Sequence, residues 1–447
     1  SIFFLLARVL FYMWGAPKFI FAILGTTTLD FFLVRIMHNA SSDKRRKLFL
    51  VLSLCLNVGM LAYFKYCNFF IENFNHVLHL FSVKEIAWTK IVLPIGISFY
   101  TFESLTYVID VYRREHKPLT NFWHYQLYII LFPKLIAGPI IRYHDIADQI
   151  TDRFERFKVD DILTGFTRFV IGLSKKVLIA NTMAAMADDV FKTNISELNS
   201  GYAWLGMLAY TFQIYFDFSG YSDMAIGMGK MLGFQFPENF NNPYTSKSIT
   251  EFWRRWHMTL GSWMRNYLYI PLGGNRVDSK KRLFFNLWIV FLLSGFWHGA
   301  AWTFIFWGAY HGLLLVLERV FLLKAYERMG KVIPTIITFL LVAIGWVFFR
   351  ADTFSYGFHY IAKLFSFSNS INYIYLNNEF YFYLVLAIVF SFFTIFNYGE
   401  RIQNKIYFTD YTMNGYVVAT LLSLLFFTIC LASISSSTFN PFIYFRF

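Results

Sequence analysis

The sequence predicts an all-α protein that crosses a membrane many times. Of its 447 residues, 57% are hydrophobic and 15% are charged, whereas a soluble domain carries about 25% charged residues. Aromatic residues make up 22% of the chain, and aromatic side chains are enriched where membrane proteins meet the interface. This composition excludes an ordinary soluble domain.

Apolar segments of membrane-spanning length recur along the whole chain. A spanning helix needs about 20 mostly apolar residues, and the segments of this kind predict about 10–12 helices. The first candidate, near 2–14, is partial, so we expect further residues upstream of Ser1. The sequence shows no fixed-period repeat, which argues against the many secondary transporters that are built from repeats.

The positive charge of the chain is distributed in short clusters between the apolar segments. There are 40 Lys and Arg against 27 Asp and Glu, which gives a net charge of +13. Clusters at 44–47, 113–114, 175–176, 254–255 and 280–282 are typical of cytoplasmic loops. No nucleic-acid recognition motif accompanies them. We therefore expect a multi-pass protein of the cytoplasmic (inner) membrane that contacts lipids and binds no nucleic acid.

Three segments interrupt the apolar pattern with polar residues, proline or glycine: 94–102, 132–142 and 215–223. Each alone fits a helix kink whose polar groups are satisfied locally. Together they favour a polar cavity, because irregular backbone at membrane depth needs protein or water around it. The third segment supplies candidates for lining a passage or orienting a histidine, namely Asp217, Tyr221 and Asp223.

The segment 237–282 is too polar to cross the bilayer. It begins with a turn-rich stretch and then alternates aromatic with basic residues, which predicts an interfacial or re-entrant segment on the cytoplasmic side. Arg254, Arg255 and Arg265 surround His257 there. Guanidinium groups suit phosphate and pyrophosphate groups, so this segment could hold an anionic molecule, although contact with lipid headgroups remains an alternative.

A second histidine, His298, lies in the almost entirely apolar stretch 294–302. An ionisable residue at membrane depth is a functional candidate. A buried imidazole stays neutral, and the neutral form can accept the proton of a hydroxyl during acyl transfer. On a continuous helix Trp302 would share its face and wall the site. The alternative is a structural histidine bonded to a backbone carbonyl.

A third histidine, His311, follows His298 by thirteen residues. On one straight helix the two side chains would point about 220° apart. They would then face different neighbours, so we expect His311 to be structural. The chain has no His-Glu-x-x-His motif and no closely paired cysteines, which predicts no catalytic metal.

The chain resembles the membrane-bound O-acyltransferase superfamily in several stretches that follow one another in order. The match is to the bacterial branch that O-acetylates exported polysaccharides, of the alginate type. The stretches that carry the resemblance are 132–143, 216–223, 237–244, 252–276, 295–312 and 440–447.

The resemblance implies one membrane domain over 1–447, with tilted helices around a central funnel or tunnel. His298 is the catalytic residue that it implies, within a catalytic region at 252–312, and His257 is the second member, nearer the cytoplasmic mouth. The implied reaction moves an acyl group, most simply acetyl, from acetyl-coenzyme A or another thioester to the extracytoplasmic side. No tightly bound cofactor is expected.

The resemblance also implies an extracytoplasmic partner, an acetyltransferase or hydrolase-like protein, so the polysaccharide acceptor would be reached indirectly. Two alternatives remain open on the sequence. One is transfer of D-alanine from a carrier protein to teichoic acid, and the other is a transporter without enzymatic activity. The sequence does not identify the polymer.

Overall fold

A computed structural model describes residues 10, 12–13, 17, 19–156, 158–366, 378–409, 411–436 and 441–443. Every regular element within these ranges is a helix, which confirms the all-α prediction. The predicted partial span near 2–14 and the motif at 440–447 lie largely outside the described residues.

The chain divides into two compact units, Ser1–Lys158 with Gly233–Phe236, and Val159–Leu232 with Pro237–Phe447. The first unit contains α1 (Ile20–Asn39), α2 (Asp43–Leu80), α3 (Ile97–Tyr112), α4 (Phe122–Ile129), α5 (Phe132–Leu135) and α6 (Tyr143–Arg156). The second contains α7 (Val159–Lys192), α8 (Ser200–Met231), α9 (Ile249–Arg255), α10 (Met258–Trp263), α11 (Lys280–His298), α12 (Trp302–Arg328), α13 (Val332–Arg350), α14 (Phe354–Leu364), α15 (Asn378–Ile395), α16 (Asn397–Tyr407) and α17 (Met413–Ser436). The expectation of one domain over 1–447 stays a prediction.

Seven helices in the described part of the chain are long and apolar enough to cross a membrane: α1, α2, α7, α12, α13, α15 and α17. The protein is therefore a multi-pass membrane protein. This count is below the predicted number of spans, partly because apolar sequence does not always form one long helix. The apolar run near 124–142, which is one of the segments of predicted spanning length, is broken after Ile129, and the next helix, α5, has only four residues and contains Pro133.

The expectation of irregular backbone or a kink at the polar segment 215–223 was wrong. This segment lies inside α8, which runs unbroken from Ser200 to Met231. Helix α7 packs closely along α8, because a Cβ atom on Gly172 or Gly220 would lie under 3.0 Å from the carbonyl oxygen of the other glycine. Such close approach of small residues is a common way to join helices in membranes.

Helices α11 and α12 form a tight hairpin that positions His298. The first helix ends at His298, the connection is extended at Gly299 and Ala301, and the second helix begins at Trp302. The two helices meet at Gly295 and Gly308, where an added Cβ would lie under 3.0 Å from a carbonyl oxygen of the other helix.

The segment 237–282 forms short elements within the second unit. After a single turn at Pro243–Thr245 come α9 and α10, and a π-helical turn at Met264–Tyr269 extends α10. None of them is among the seven membrane-spanning candidates in the described residues. The interfacial or re-entrant placement of this segment stays a prediction.

Candidate active site

His298 lies at the C-terminal end of α11 with its side chain buried. Its ring centroid lies 4.9 Å from that of Trp297, 5.3 Å from that of Trp307 and 5.3 Å from that of Phe349. These rings come from α11, α12 and α13. They keep water away from the imidazole, and electrostatic interactions with a reacting group are stronger in such a site than in water.

His257 lies where the backbone breaks between α9 and α10. Its φ and ψ of 45° and 54° are left-handed, which is uncommon for a residue other than glycine. The side chain is buried, and its ring centroid lies 4.7 Å from that of Phe218 on α8. The Nδ1 atom of His257 lies 3.0 Å from Oδ1 of Asn239, which comes from the preceding loop.

The surroundings of His257 keep its imidazole neutral at pH 7. Burial lowers the pKa of His257 to about 3. The Oδ1 atom of Asn239, which faces Nδ1 of His257, is a hydrogen-bond acceptor. No group of the described residues pairs with the other ring nitrogen, Nε2, which is also buried.

Trp297 brings the two predicted catalytic histidines to one place. Its ring centroid lies 6.5 Å from that of His257 and 4.9 Å from that of His298. Two helix breaks that are distant in sequence therefore present imidazoles to one indole. This arrangement places two imidazoles at a single buried, aromatic location.

Sequence reasoning did not identify several residues that build this location: Phe218, Asn239, Trp307 and Phe349. Phe218, Trp307 and Phe349 resemble ordinary apolar positions of membrane helices, so no local signal separates them from lipid-facing residues. Asn239 belongs to the turn-rich stretch 237–244, and its composition indicated a turn without indicating a partner for its side chain.

His311 lies close to the same cluster, contrary to the straight-helix prediction. Because α11 ends at His298, the two histidines belong to different helices of a hairpin. Both rings pack on Trp307, with centroid distances of 5.3 Å for His298 and 5.1 Å for His311. The indole Nε1 of Trp253 donates to Nδ1 of His311 at 3.4 Å. The structural role expected for His311 stays a prediction.

Trp302 does not share a helix with His298, so the helical argument for its role as a wall was wrong. The extended connection at Gly299 and Ala301 separates the two residues. Trp302 begins α12 and is 59% exposed. Trp307, five residues further along α12, takes the position against the His298 ring.

The three arginines near His257 differ in their surroundings. Arg254 and Arg265 are exposed. Arg255 is held by Glu251, with Nη2 and Oε1 2.6 Å apart, and by a hydrogen bond of 2.9 Å to Oγ1 of Thr245. Arg254 and Arg265 are therefore better placed to meet an anionic molecule.

Asp217 and Tyr221 hold the segment 441–443 against α8. The carboxylate of Asp217 accepts from the backbone N–H of Ile443 at 3.0 Å and pairs with Lys176 at 3.0 Å. The ring of Tyr221 packs 4.7 Å from that of Phe442. Their predicted part in lining a passage or orienting a histidine stays a prediction.

Asp223 belongs to a buried ionic cluster. Its carboxylate pairs with Arg168 at 2.7 Å and with Lys175 at 2.6 Å, and Arg168 also pairs with Glu238. The guanidinium of Arg168 lies 3.9 Å from the ring centroid of Tyr407. These partners account for the burial of this carboxylate, because buried charges are ordinarily paired. Its predicted part in lining a passage or orienting a histidine stays a prediction.

One group in the described residues has ligand atoms close enough to hold a metal ion, and it lies in the first unit. Atoms of Asp110, Glu115 and His144 lie within 4.8 Å of one another. His144 Nδ1 is 2.9 Å from Asp110, and that hydrogen bond raises the pKa of His144. The group includes none of the predicted catalytic histidines. The expectation of no catalytic metal stays a prediction.

Comparison with known proteins places the chain in a family. The model of the membrane-bound O-acyltransferase family matches residues 43–357. The probable alginate O-acetylase AlgI of Pseudomonas aeruginosa is 46% identical over 364 residues, which cover 81% of this chain and 69% of that protein. Its counterpart in Pseudomonas putida is 39% identical over 458 residues, covering 99% and 93%.

A protein named for a different polymer is also similar. The peptidoglycan O-acetyltransferase of Helicobacter pylori is 38% identical over 374 residues, which cover 77% of this chain and 70% of that protein. The matches extend over α11 and α12 and over the loops that carry His257 and Asn239. The chain belongs to the membrane-bound O-acyltransferase family and is an O-acyltransferase of the membrane.

Proposed function

We propose that this protein takes an acetyl group from a cytoplasmic thioester, acetyl-coenzyme A, and passes it outward for O-acetylation of an exported cell-envelope polysaccharide. Its similarity to a probable alginate O-acetylase and to a peptidoglycan O-acetyltransferase supports acetyl transfer to a polysaccharide. The observation that carries the chemistry is the pair of buried imidazoles that lie close to the ring of Trp297.

Acyl transfer needs a base for the attacking hydroxyl, and His298 is the residue we propose for it. The hydroxyl oxygen of the acceptor attacks the thioester carbonyl carbon, and His298 takes the proton of that hydroxyl. The carbon–oxygen bond forms, the carbon–sulfur bond breaks, and the proton passes from His298 to the leaving sulfur. The products are an ester and a free thiol.

We assign the donor side of the reaction to His257 and to the exposed arginines beside it. Arg254 and Arg265 lie at the surface of a segment that we place at the cytoplasmic interface. Guanidinium groups match the phosphates of coenzyme A. Cysteines introduced at these two positions should react poorly with a membrane-impermeant reagent added to intact cells. Strong labelling from outside would contradict this orientation.

We propose that the chain works in the cytoplasmic membrane with an extracytoplasmic acetyltransferase or hydrolase-like partner, which places the acetyl group on the polymer. The described residues of the two units are predominantly helical, and seven of their helices are apolar enough to span a membrane. A polysaccharide therefore has little water-exposed surface to bind. Purified protein should consume donor slowly and acetylate polymer poorly until the partner is added.

Thiol release in proteoliposomes tests the activity. Wild-type protein given acetyl-coenzyme A with acceptor or partner should release free coenzyme A. His298→Gln, which keeps hydrogen bonding and loses basicity, should be about 10²–10⁴-fold slower. His359→Gln is the matched control, because His359 is exposed on α14 and bonded only locally to Ser355. A His298→Gln protein with near wild-type rates at equal expression would refute the role of His298.

Two further measurements separate the alternatives. A transporter would be indifferent to the thioester and would release no thiol. Mass analysis of envelope polymers from cells with and without the gene distinguishes an acetyl ester from an alanyl ester. Loss of an alanyl ester, with acetyl content unchanged, would favour D-alanyl transfer over our proposal.

A further inference from the structure

We propose that Asn239 is a positioning residue for His257: its side-chain oxygen fixes the imidazole in the tautomer whose Nε2 accepts a hydrogen bond from the reacting molecule. This inference rests on the proposed function for what binds at Nε2. The tautomer itself follows from the hydrogen bonds of Asn239 alone.

The hydrogen bonds around Asn239 determine which of its amide atoms faces His257. Its Oδ1 accepts the hydroxyl of Thr259 at 2.9 Å and the backbone N–H of Thr259 at 3.4 Å. Its Nδ2 donates to Oγ of Ser222 at 3.0 Å. The atom that faces the ring is therefore an acceptor, and Nδ1 of His257, 3.0 Å away, must carry the proton.

The backbone holds this side-chain contact in place. The N–H of Met258 donates to the carbonyl of Asn239 at 2.9 Å, and the N–H of Asn241 donates to the carbonyl of Arg255 at 2.9 Å. These two bonds bracket His257 while it occupies the left-handed region. Residues held in sparsely populated conformations need such surrounding support and are often found at functional sites.

With the proton on Nδ1, Nε2 presents its lone pair. It is buried, and no atom of the described residues is hydrogen-bonded to it. A buried acceptor left without a donor costs free energy, so an O–H or N–H of a bound molecule is the natural partner. An asparagine oxygen fixes the tautomer without adding a charge, whereas a carboxylate, which can also orient a functional histidine, adds one.

The charged side chains on the elements packed around His257 have partners of their own, so none of them sets its protonation. The pairs are Asp217 with Lys176, Asp223 with Lys175 and Arg168, Glu238 with Arg168, and Arg255 with Glu251. Arg254 and Arg265 are exposed. Burial alone lowers the pKa of His257 to about 3.

The first experiment measures the tautomer and needs no activity. Full-length protein labelled with ¹⁵N-histidine is studied by NMR, and the His257 signals are assigned by their loss in His257→Gln. We expect Nδ1 protonated and Nε2 unprotonated from pH 8 down to pH 5. A proton on Nε2 of the wild-type protein would overturn the inference, even if the protein is an active acetyltransferase.

The second experiment replaces the neutral acceptor with a charged one. Asn239→Asp keeps an oxygen at Nδ1, and its negative charge stabilises the imidazolium, so the pKa of His257 should rise. Below that raised pKa, Nε2 is protonated and cannot accept a hydrogen bond. The rate of thiol release by Asn239→Asp should therefore fall as the pH is lowered from 8 to 5.5. The pH–rate profile of the wild-type protein should lack this acidic limb. An unchanged profile would contradict the positioning role.

The third comparison separates positioning from folding. Asn239→Leu removes the acceptor and should lower kcat about 10-fold to 100-fold, by analogy with the loss of a side chain that orients a metal-bound histidine. For Asn239→Asp the matched control is Asn286→Asp, since the buried side chain of Asn286 donates to the carbonyls of Leu272 and Gly274 in the described residues. It should reduce the yield of folded protein and leave the pH profile unaltered.

These outcomes distinguish a failure of this inference from a failure of the proposed function. If the wild-type protein releases no thiol, the proposed function fails, and the NMR measurement still decides the tautomer. If Asn239→Leu does not fold, the wild-type NMR spectrum and the Asn239→Asp protein still decide it. A pH limb that appears equally in Asn286→Asp would overturn the positioning role.

Discussion

Gly308 is the position where one added methyl group should most directly displace His298. The Cβ of an alanine there would lie under 3.0 Å from the carbonyl oxygen of Phe291 and 3.1 Å from Cα of Leu292. Both are backbone atoms of α11, so no side-chain rotation relieves the clash. Helix α11 has to move away from α12, and His298 is at its end.

The size of that movement sets the expected effect. Ordinary contacts of a Cβ atom begin at 3.4 Å, so the hairpin of Gly308→Ala must open by about 1 Å, and a displacement of that size at a reacting group costs about 10²-fold in rate. Overpacking of this kind also lowers stability by about 1–3 kcal/mol. We therefore expect a slow enzyme that still inserts into the membrane.

Thiol release from acetyl-coenzyme A, measured at equal amounts of folded protein, checks this prediction, with apparent Tm recorded at one fixed scan rate. Gly59→Ala is the control, because an added Cβ on this α2 glycine meets nothing within 4 Å. It should match wild type in rate. Wild-type rate and Tm in Gly308→Ala would refute the proposed coupling between hairpin packing and the position of His298.

Three other predictions concern the charged and titratable groups. The folded-state pKa of His257, about 3, lies below its unfolded value of about 6.5, so the free energy of unfolding decreases as the pH falls below 6.5. Between pH 7 and 5 the wild type should lose about 2 kcal/mol more of this free energy than His257→Asn, and equal losses would contradict the burial of this imidazole. Arg254→Ala with Arg265→Ala should raise the KM for acetyl-coenzyme A and leave kcat nearly unchanged; a loss confined to kcat would exclude donor binding. His311→Ala should keep measurable activity, and complete loss would place it beside His298 in the mechanism.

The fold class was predictable because it depends on composition more than on position. A chain with 15% charged residues cannot cover a water-facing surface. Apolar runs of spanning length then fix helix as the regular structure, because backbone polar groups in lipid must be satisfied within the segment. The exact number of spans was less predictable, since Pro133 and the break after Ile129 divide one apolar run into short helices.

The carboxylates of α8 illustrate a second limit. Asp217 and Asp223 in an apolar run indicated a polar cavity, yet each is paired with a basic residue of α7, Lys176 and Lys175. Sequence reveals that a buried charge needs a partner without revealing which helix supplies it. The packing of α7 against α8 along their glycines determines which residues pair.

The geometry around the histidines was the least predictable, because both occur where helices stop. A helical projection assumes that the helix continues, and it assigned Trp302 and His311 to faces of a helix that ends at His298. His257 likewise occupies a left-handed break whose side-chain partner, Asn239, comes from a separate loop. In this protein the candidate site is formed by the ends of helices.

Helix ends suit this chemistry for a physical reason. A residue inside a helix keeps its backbone groups in the helical ladder, and its side chain emerges from a regular cylinder that neighbours cover with apolar groups. At a break, the side chain can leave along the gap between helices, and nearby loops can bring polar atoms such as Oδ1 of Asn239 to it. Non-helical backbone of this kind persists inside a membrane protein only where protein or water satisfies it. A histidine beside a glycine or a turn, within an apolar run, is therefore a stronger catalytic candidate in such sequences than a histidine on a helical face.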